Sequence, residues 1–244
     1  MTDAHCHVSC GDSSVRELLI GRDFFGVHPW ETLDDGTTET TGTTGTGGTT
    51  ETRRVLVSDA QFLPALRAQL LANPAAGVGE IGLDRLKSRE ISPRMREVFE
   101  AQLALALELR RPVVLHGAKC WGQVVAAVKR MIGDGLAKGD NRQSFLFHGF
   151  SRSDGLIPEI VKLNGFISVG PAVLNDHAVN YRELVKKIPL DRLLVETDAV
   201  VGARVPTRPH IRDVLAKTAD ILNLSAAELE RITDENADRF LGTV

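Results

Sequence analysis

The sequence predicts an α/β protein whose parallel strands close into a barrel, with its chemistry gathered at one end. Three observations carry that expectation. Short apolar runs alternate with amphipathic stretches through most of the 244 residues, the pattern of parallel strands joined by helical crossovers. Residues of metal-ligand type end several of those runs, where closed (β/α) barrels keep their sites. No Gly-x-Gly-x-x-Gly turn marks the switch point at which an open sheet would gather a site.

Taken in order, Asp3 to Val8 reads as the first strand. Residues two apart on a strand share a face, so His5 and His7 form a chelating pair while Cys6 turns into packing. Ser13 to Ile20 reads as a helix with Ser13 or Ser14 as its N-cap. Phe24 to Trp30 is a strand stopped by Pro29, and its His28 reads as structural or substrate-lining rather than as a ligand. Residues 34–52 contain only Thr, Gly, Glu and Asp. Such a segment cannot offset its ordering entropy, so a disordered surface insertion is expected.

Phe62, Leu63, Leu66 and Leu70 recur at helical spacing within Ser58 to Ala72, and Asn73-Pro74 ends that helix. The run Val78-Gly79-Glu80-Ile81-Gly82-Leu83-Asp84 follows, presenting a carboxylate between two glycines that let other groups approach. Helices are then expected at Pro93 to Leu109, Trp121 to Ile132, Leu156 to Leu163, Tyr181 to Lys187, Ile211 to Leu222 and Ala226 to Ile232. The strands between them are Pro112 to His116, Phe145 to Phe150, Phe166 to Val169 and Leu193 to Thr197.

Length and a 43% hydrophobic content suit one domain over residues 1–244. A net charge of −3 excludes a broadly basic surface. The 34–52 segment holds four acids and no base, so the remainder is near neutral and any nucleic-acid contact is local. Three cysteines without a Cys-x-x-Cys spacing argue against a disulfide framework or a zinc knuckle and suit a reducing compartment. The first histidines follow Met1 too closely for a signal peptide, and no apolar run reaches membrane-spanning length. The expectation is a soluble cytoplasmic protein, or a nuclear one, with no membrane partner.

The candidate site is His5, His7, Glu80, His116, His148 and Asp198. Four imidazoles and two carboxylates suit Zn, Mn, Fe or Co better than Mg, which prefers an all-oxygen shell. Six protein ligands exceed what one catalytic ion holds while leaving room for water, so two divalent ions are implied, with Glu80 as the natural bridge. Regular alternation sets Glu196 on the same face as Asp198 but deeper, as a hydrogen-bonded support, unless a bulge turns it outward. Asp84 is read as a second supporting carboxylate. Lys119, Arg142, Arg152 and Arg204 follow strand ends and could meet phosphates.

These residues have a counterpart. Asp3-x-His5-x-His7, Gly26-x-His28-Pro29, Gly79-Glu80-Ile81-Gly82-Leu83-Asp84, His116, His148-Gly149-Phe150-Ser151, Glu196-Thr197-Asp198 and Asn236-x3-Phe240 together resemble the TatD-type metal-dependent deoxyribonucleases of the amidohydrolase superfamily. The resemblance runs nearly end to end. It implies a TIM-like (β/α) barrel, Mg or Mn as the working metal, and removal of nucleotides from DNA 3′ ends or short single-stranded nucleic acid. It also implies that His5, His7, Glu80 and Asp198 hold one ion, that Glu80, His116 and His148 hold the other, and that Asp198 acts as base. Glu80 and Asp198 are then the catalytic pair.

Several positions depart from the family pattern. Only one short helix fits between His7 and the Gly26 motif, where the family carries a further strand and helix. The barrel is therefore expected to be distorted or to lack one strand–helix unit, with seven or eight strands. Ala118 replaces a frequent basic residue, with Lys119 beside it as a substitute, and Val200 replaces a proline ahead of the Arg-rich stretch 202–209. These changes touch substrate contacts. Two other functions therefore stand beside DNA hydrolysis: a metal-dependent amide or ester hydrolase of the amidohydrolase type, and a non-catalytic interaction protein on the same barrel.

Overall fold

Val114 and His116 alternate with Val113 and Leu115 along one short strand, and that alternation repeats around the molecule. In the computed structural model, which describes residues 1–33, 62–133, 143–200 and 210–243, the strands are β1 (Thr2–Cys6), β2 (Arg16–Leu19), β3 (Phe24–Phe25), β4 (Gly77–Asp84), β5 (Val113–Ala118), β6 (Phe145–Phe147), β7 (Gly165–Val169) and β8 (Leu193–Val195). All pair in parallel, in the orders β1-β2 and β3-β4-β5-β6-β7-β8. A parallel bridge from Ile20 to Phe24 joins the two sheets on one side. On the other, the Asp198 N–H donates to the His5 carbonyl at 3.0 Å and the His7 N–H to the Ala199 carbonyl at 2.8 Å. The ring is thus a TIM-like barrel of eight short strands among the described residues.

The helices are α1 (Phe62–Ala72), α2 (Pro93–Glu108), α3 (Trp121–Ile132), α4 (Ile157–Lys162), α5 (Val179–Val185), α6 (Ile211–Leu222) and α7 (Ala226–Leu241). Val113, Leu115, Phe145, Phe147, Ile167, Val169, Leu193 and Val195 belong to the core shared with the helices. Ala4, Leu18, Phe24, Val114, Leu146, Phe166 and Leu194 form a separate inner cluster, completed by Ala237 and Phe240 of α7. Phe240 stacks on Phe24 with centroids 5.8 Å apart and meets Phe166 edge-on at 5.9 Å. It fills the barrel at the end opposite the site, where the Ser144 hydroxyl, just ahead of β6, donates to the Phe240 carbonyl.

Three sequence expectations change here. Ser13 to Ile20 is not a helix: Arg16–Leu19 is β2, in register with β1 through Thr2–Arg16, Asp3–Glu17 and Cys6–Leu19. The run Val15-Arg16-Glu17-Leu18-Leu19-Ile20 fits either period, and pairing with β1, which sends Leu18 into the barrel, decides it. The strand–helix unit expected to be short therefore keeps its strand, and β1 and β2 are each followed by a loop instead of a helix. The second change is at Trp30, where β3 ends early and Pro29–Thr32 forms a 3-10 turn capped by His28, whose Nδ1 accepts from the Trp30 N–H at 3.1 Å. Proline at the first position of that turn suits its fixed φ. Third, the last helix does not stop at Ile232 but runs to Leu241, because Thr233, Asn236, Ala237 and Phe240 continue its buried face. The 34–52 segment, residues 58–61 of the expected first helix, Arg142 and Arg204 lie outside the described residues. Among the described residues no helix is long and apolar enough to cross a membrane.

Candidate metal centre

Each inward side chain of the site sits one step beyond the inner apolar cluster. His116 follows Val114, His148 follows Leu146, Ser168 follows Phe166 and Glu196 follows Leu194, each two residues on and on the same face. In β4 the register shifts between Val78 and Ile81, so Gly79 and Glu80 both face inward while Val78, Ile81 and Leu83 pack against the helices. Only glycine fits at 79, since a Cβ there would lie 2.7 Å from Val114 Cβ. β1 shifts likewise between Asp3 and Cys6, which sends Ala4 into the inner cluster and His5 into the site. Cys6 turns away, toward the Leu18 carbonyl.

Glu80 is the centre of the arrangement. Its Oε1 lies 2.5 Å from His116 Nδ1, 2.5 Å from His148 Nε2 and 3.3 Å from His28 Nε2. Its Oε2 lies 3.2 Å from His7 Nε2 and 3.4 Å from His5 Nε2. Asp198 Oδ1 approaches the same two histidines, at 3.6 Å from His5 and 3.8 Å from His7. Asp198 is exposed and has φ 48°, so it stands at the mouth. Glu80 is buried at the floor. The structure thus gathers His5, His7, Glu80, His116, His148 and Asp198, and adds His28, whose motif was visible in the sequence without a hint that it faces Glu80.

The electrostatics follow from burial and pairing. Burial disfavours the Glu80 carboxylate, yet the His148 charge and the His116, His148 and His28 contacts hold its pKa well below the usual range. Burial and repulsion from His148 push the His5 pKa down, but Asp198 and Glu80 outweigh them and raise it to about 9. His148 rises well above its ordinary value against burial, through the charge of Glu80 and its contact with Glu196.

A second layer of carboxylates orients the first. Asp84 Oδ2 lies 2.8 Å from His116 Nε2 and accepts from Trp30 Nε1 at 2.8 Å, while its Oδ1 accepts the Leu86 and Lys87 N–H groups at 2.6 and 2.9 Å. Glu196 is buried and inward; it accepts from the Gly149 N–H at 2.7 Å and the Ser168 hydroxyl at 2.5 Å, with His148 Nδ1 3.8 Å away. Asp3 accepts from the Thr197 N–H at 2.9 Å and Oγ1 at 2.6 Å, tying β1 to the turn that carries Asp198. Burial raises the Asp3 pKa to about 6, with the Thr197 bonds opposing.

Could this set hold metal? Both ring nitrogens of His5 and Nδ1 of His148 are buried without a hydrogen-bond partner, a costly state for polar atoms that an ion beside them would relieve. Three overlapping groups have donor atoms close enough to share an ion: His5 with Glu80 and His148; His5 with His7 and Asp198; His28 with Glu80 and His116. Imidazole and carboxylate donors suit first-row divalent ions, so the residues fit a metal site. Of the expected phosphate contacts, Lys119 and Arg152 are exposed, just past β5 and β6. Both have positive φ, 57° and 59°. Sequence reasoning missed Trp30 and Lys87, which Asp84 brings to the same rim.

The comparisons with known proteins agree with this geometry. The chain is 31% identical to an uncharacterized metal-dependent hydrolase, YabD, of Bacillus subtilis over 169 residues, covering 67% of this chain and 64% of that protein. It is 28% identical to the 3'-5' ssDNA/RNA exonuclease TatD of Klebsiella pneumoniae over 197 residues, covering 76% and 70%. The chain spans less than two thirds of the length of YabD and of metal-dependent hydrolases from Haemophilus influenzae and Escherichia coli, at 64%, 62% and 66%. Among solved structures, a hydrolase TatD family protein from Entamoeba histolytica superposes with a TM-score of 0.66 at 16% identity, over 98% of this chain and 83% of that one. The Escherichia coli TatD homolog YJJV gives 0.59 at 26% identity, over 73% and 69%. Since the family model described as TatD related DNase matches residues 21–242, well over half of the chain and the part that carries strands β3 to β8, the chain belongs to that family.

Proposed function

We propose that this protein is a metal-dependent phosphodiesterase that removes nucleotides from the 3′ ends of DNA or short single-stranded nucleic acid. The observation that carries the reading is the division of Glu80: one oxygen faces His28, His116 and His148, the other faces His5 and His7. A carboxylate shared in this way suits two ions, one among His5, His7, Glu80 and Asp198 and one among Glu80, His116 and His148. Mg or Mn is the metal we infer for function, and Zn suits the same donors. Bound there, the ions would supply Lewis acidity and water of lowered pKa.

The chain's own residues do the rest. Asp198, exposed at the mouth and 3.6 Å from His5, accepts the proton of the attacking water. Asp84 and Glu196 hold His116 and the His148 loop in place. Lys119 and Arg152, on adjacent strand ends, meet the phosphates on either side of the scissile bond. A relative named as a 3'-5' ssDNA/RNA exonuclease and a human one named as a 3'-5' RNA nuclease support single-stranded substrates. The free thiols of Cys6, Cys10 and Cys120 support a reducing, cytoplasmic setting.

Metal analysis combined with digestion of 3′-labelled single-stranded DNA in Mg or Mn tests the reading. Release of 3′ mononucleotides is the expected result. Bound metal with no digestion, alongside hydrolysis of small esters or amides, would replace it with the amidohydrolase alternative. No metal uptake would point instead to an interaction protein.

A further inference from the structure

Trp30 is 41% exposed, yet its indole is not free to move. Its Nε1–H donates to Asp84 Oδ2 at 2.8 Å, and its backbone N–H is held by His28. The ring centroid lies 6.2 Å from that of His116 and 4.7 Å from that of His28. The Lys87 ammonium sits 3.5 Å from the indole centroid, and Asp84 Oδ1 accepts the Lys87 N–H at 2.9 Å. One buried carboxylate therefore fixes three things together: the His116 ring in the metal cluster, an exposed indole beside it, and a lysine whose head lies on that indole.

An indole fixed in this way at the mouth of a polar site is a stacking surface already ordered before anything binds. Every nucleobase has a π face, and stacking on an aromatic side chain is tolerant of base identity. A lysine on a flexible stem can leave the ring for a phosphate oxygen at little cost, since an exposed cation over an aromatic ring is a weak contact. From this juxtaposition we propose that Trp30 and Lys87 form the subsite that takes the nucleobase next to the scissile bond, with Trp30 stacking the base and Lys87 meeting the adjoining phosphate. The proposal rests on the nucleic-acid reading above and names a specificity element within it. It predicts a requirement for a base and indifference to which base.

Tryptophan fluorescence reads this directly. The chain has two tryptophans, and Trp121 is only 4% exposed, so stacking on Trp30 dominates any quench. A short phosphorothioate-linked oligothymidine, added to the metal-loaded protein, should quench the wild type. Removing the base of its 3′-terminal nucleotide should abolish that quench and weaken binding about tenfold, read by anisotropy of a labelled strand. Trp30→Ala should bind the intact strand about tenfold more weakly and be indifferent to the missing base. Trp30→Phe, which keeps a ring, should recover part of the loss, and Lys87→Met should lower the log–log salt slope by about 0.7.

Equal binding of intact and base-free strands by the wild type would overturn the proposal and leave Trp30 as a lid on Asp84. So would an unchanged affinity in Trp30→Ala. Should the wild type bind no oligonucleotide at all, the nucleic-acid reading itself falls and the subsite falls with it.

Discussion

Asp84 Oδ2 stands 2.8 Å from His116 Nε2, at the far side of the imidazole from Glu80, whose Oε1 lies 2.5 Å from Nδ1. The ring is held by a carboxylate at each nitrogen. Only the Glu80 side faces the cluster, so Asp84 fixes the tautomer in which Nε2 carries the proton and Nδ1 is left to donate to an ion. Asp84→Asn keeps the shape and weakens that preference. Metal affinity should drop about 10- to 100-fold, measured by titration with a competing chelator, and turnover should recover at high metal. Unchanged affinity would show that packing alone orients His116.

Asp198→Asn and His116→Ala should fail in different ways. The first keeps size and one ligating oxygen while removing the base, so metal content should persist while turnover drops by about 10² to 10⁴, roughly 3–5 kcal/mol of barrier. The second should lose metal and be partly rescued by excess. Near wild-type turnover of Asp198→Asn on every phosphodiester tested would remove this residue from the role of base.

The metal-free site stores protons. The folded His5 pKa of about 9 exceeds its usual 6.5, and His148 also lies well above its ordinary value, which favours charged imidazoles beside Glu80 at pH 7. A raised imidazole pKa adds stability that is fully present below the unfolded value and is lost as pH rises through the folded one. The apo protein should therefore lose stability between about pH 7 and 9, seen as a falling Tm. Adding Mn to the apo protein at pH 7 in weak buffer should release protons, because ligating imidazoles must be neutral. Metal uptake without acidification would contradict the protonated state.

How much of this was legible beforehand depends on which residues are asked about. His116 lies on β5, and His148 and Glu196 directly follow β6 and β8, where the alternation stays regular and a period of two sets all three inward. Glu80 and His5 differ: each is inward only because a register shift intervenes, between Val78 and Ile81 in one case and between Asp3 and Cys6 in the other. Ligand type at the end of an apolar run identified Glu80, while alternation within His5-Cys6-His7 holds locally and only the relation of His5 to Ala4 breaks it. β2 was read as helix because its pairing with β1 is tertiary, and no local signal distinguishes it. Trp30 was invisible as part of the site because its link runs through Asp84, 54 residues away.

Glu196 gives a prediction about folding rather than chemistry. It is buried and accepts from two donors, the Gly149 N–H and the Ser168 hydroxyl. Glu196→Ala leaves both without a partner, at a cost of about 1–3 kcal/mol for each donor kept from water. Urea denaturation should show the loss with an unchanged slope. Glu196→Gln should lie between, since one amide oxygen still accepts. A neutral Glu196→Ala would mean that water reaches Gly149 and Ser168.

The strand that carries His5 and His7 is fastened mainly to residues far along the chain. Asp3 is bonded to Thr197, 194 positions on, and Thr2 to Asp234, 232 positions on, while Arg16 of the neighbouring β2 reaches Asp238, 222 positions on. During synthesis the histidine pair is therefore made well before the residues that enclose it. Contacts of such separation form slowly, and until residues 197–199 arrive β1 has only β2 beside it in the ring. For that interval the His-x-His pair stands apart from Glu80 and Asp198, so the choice among ions belongs to the closed barrel and not to the pair alone.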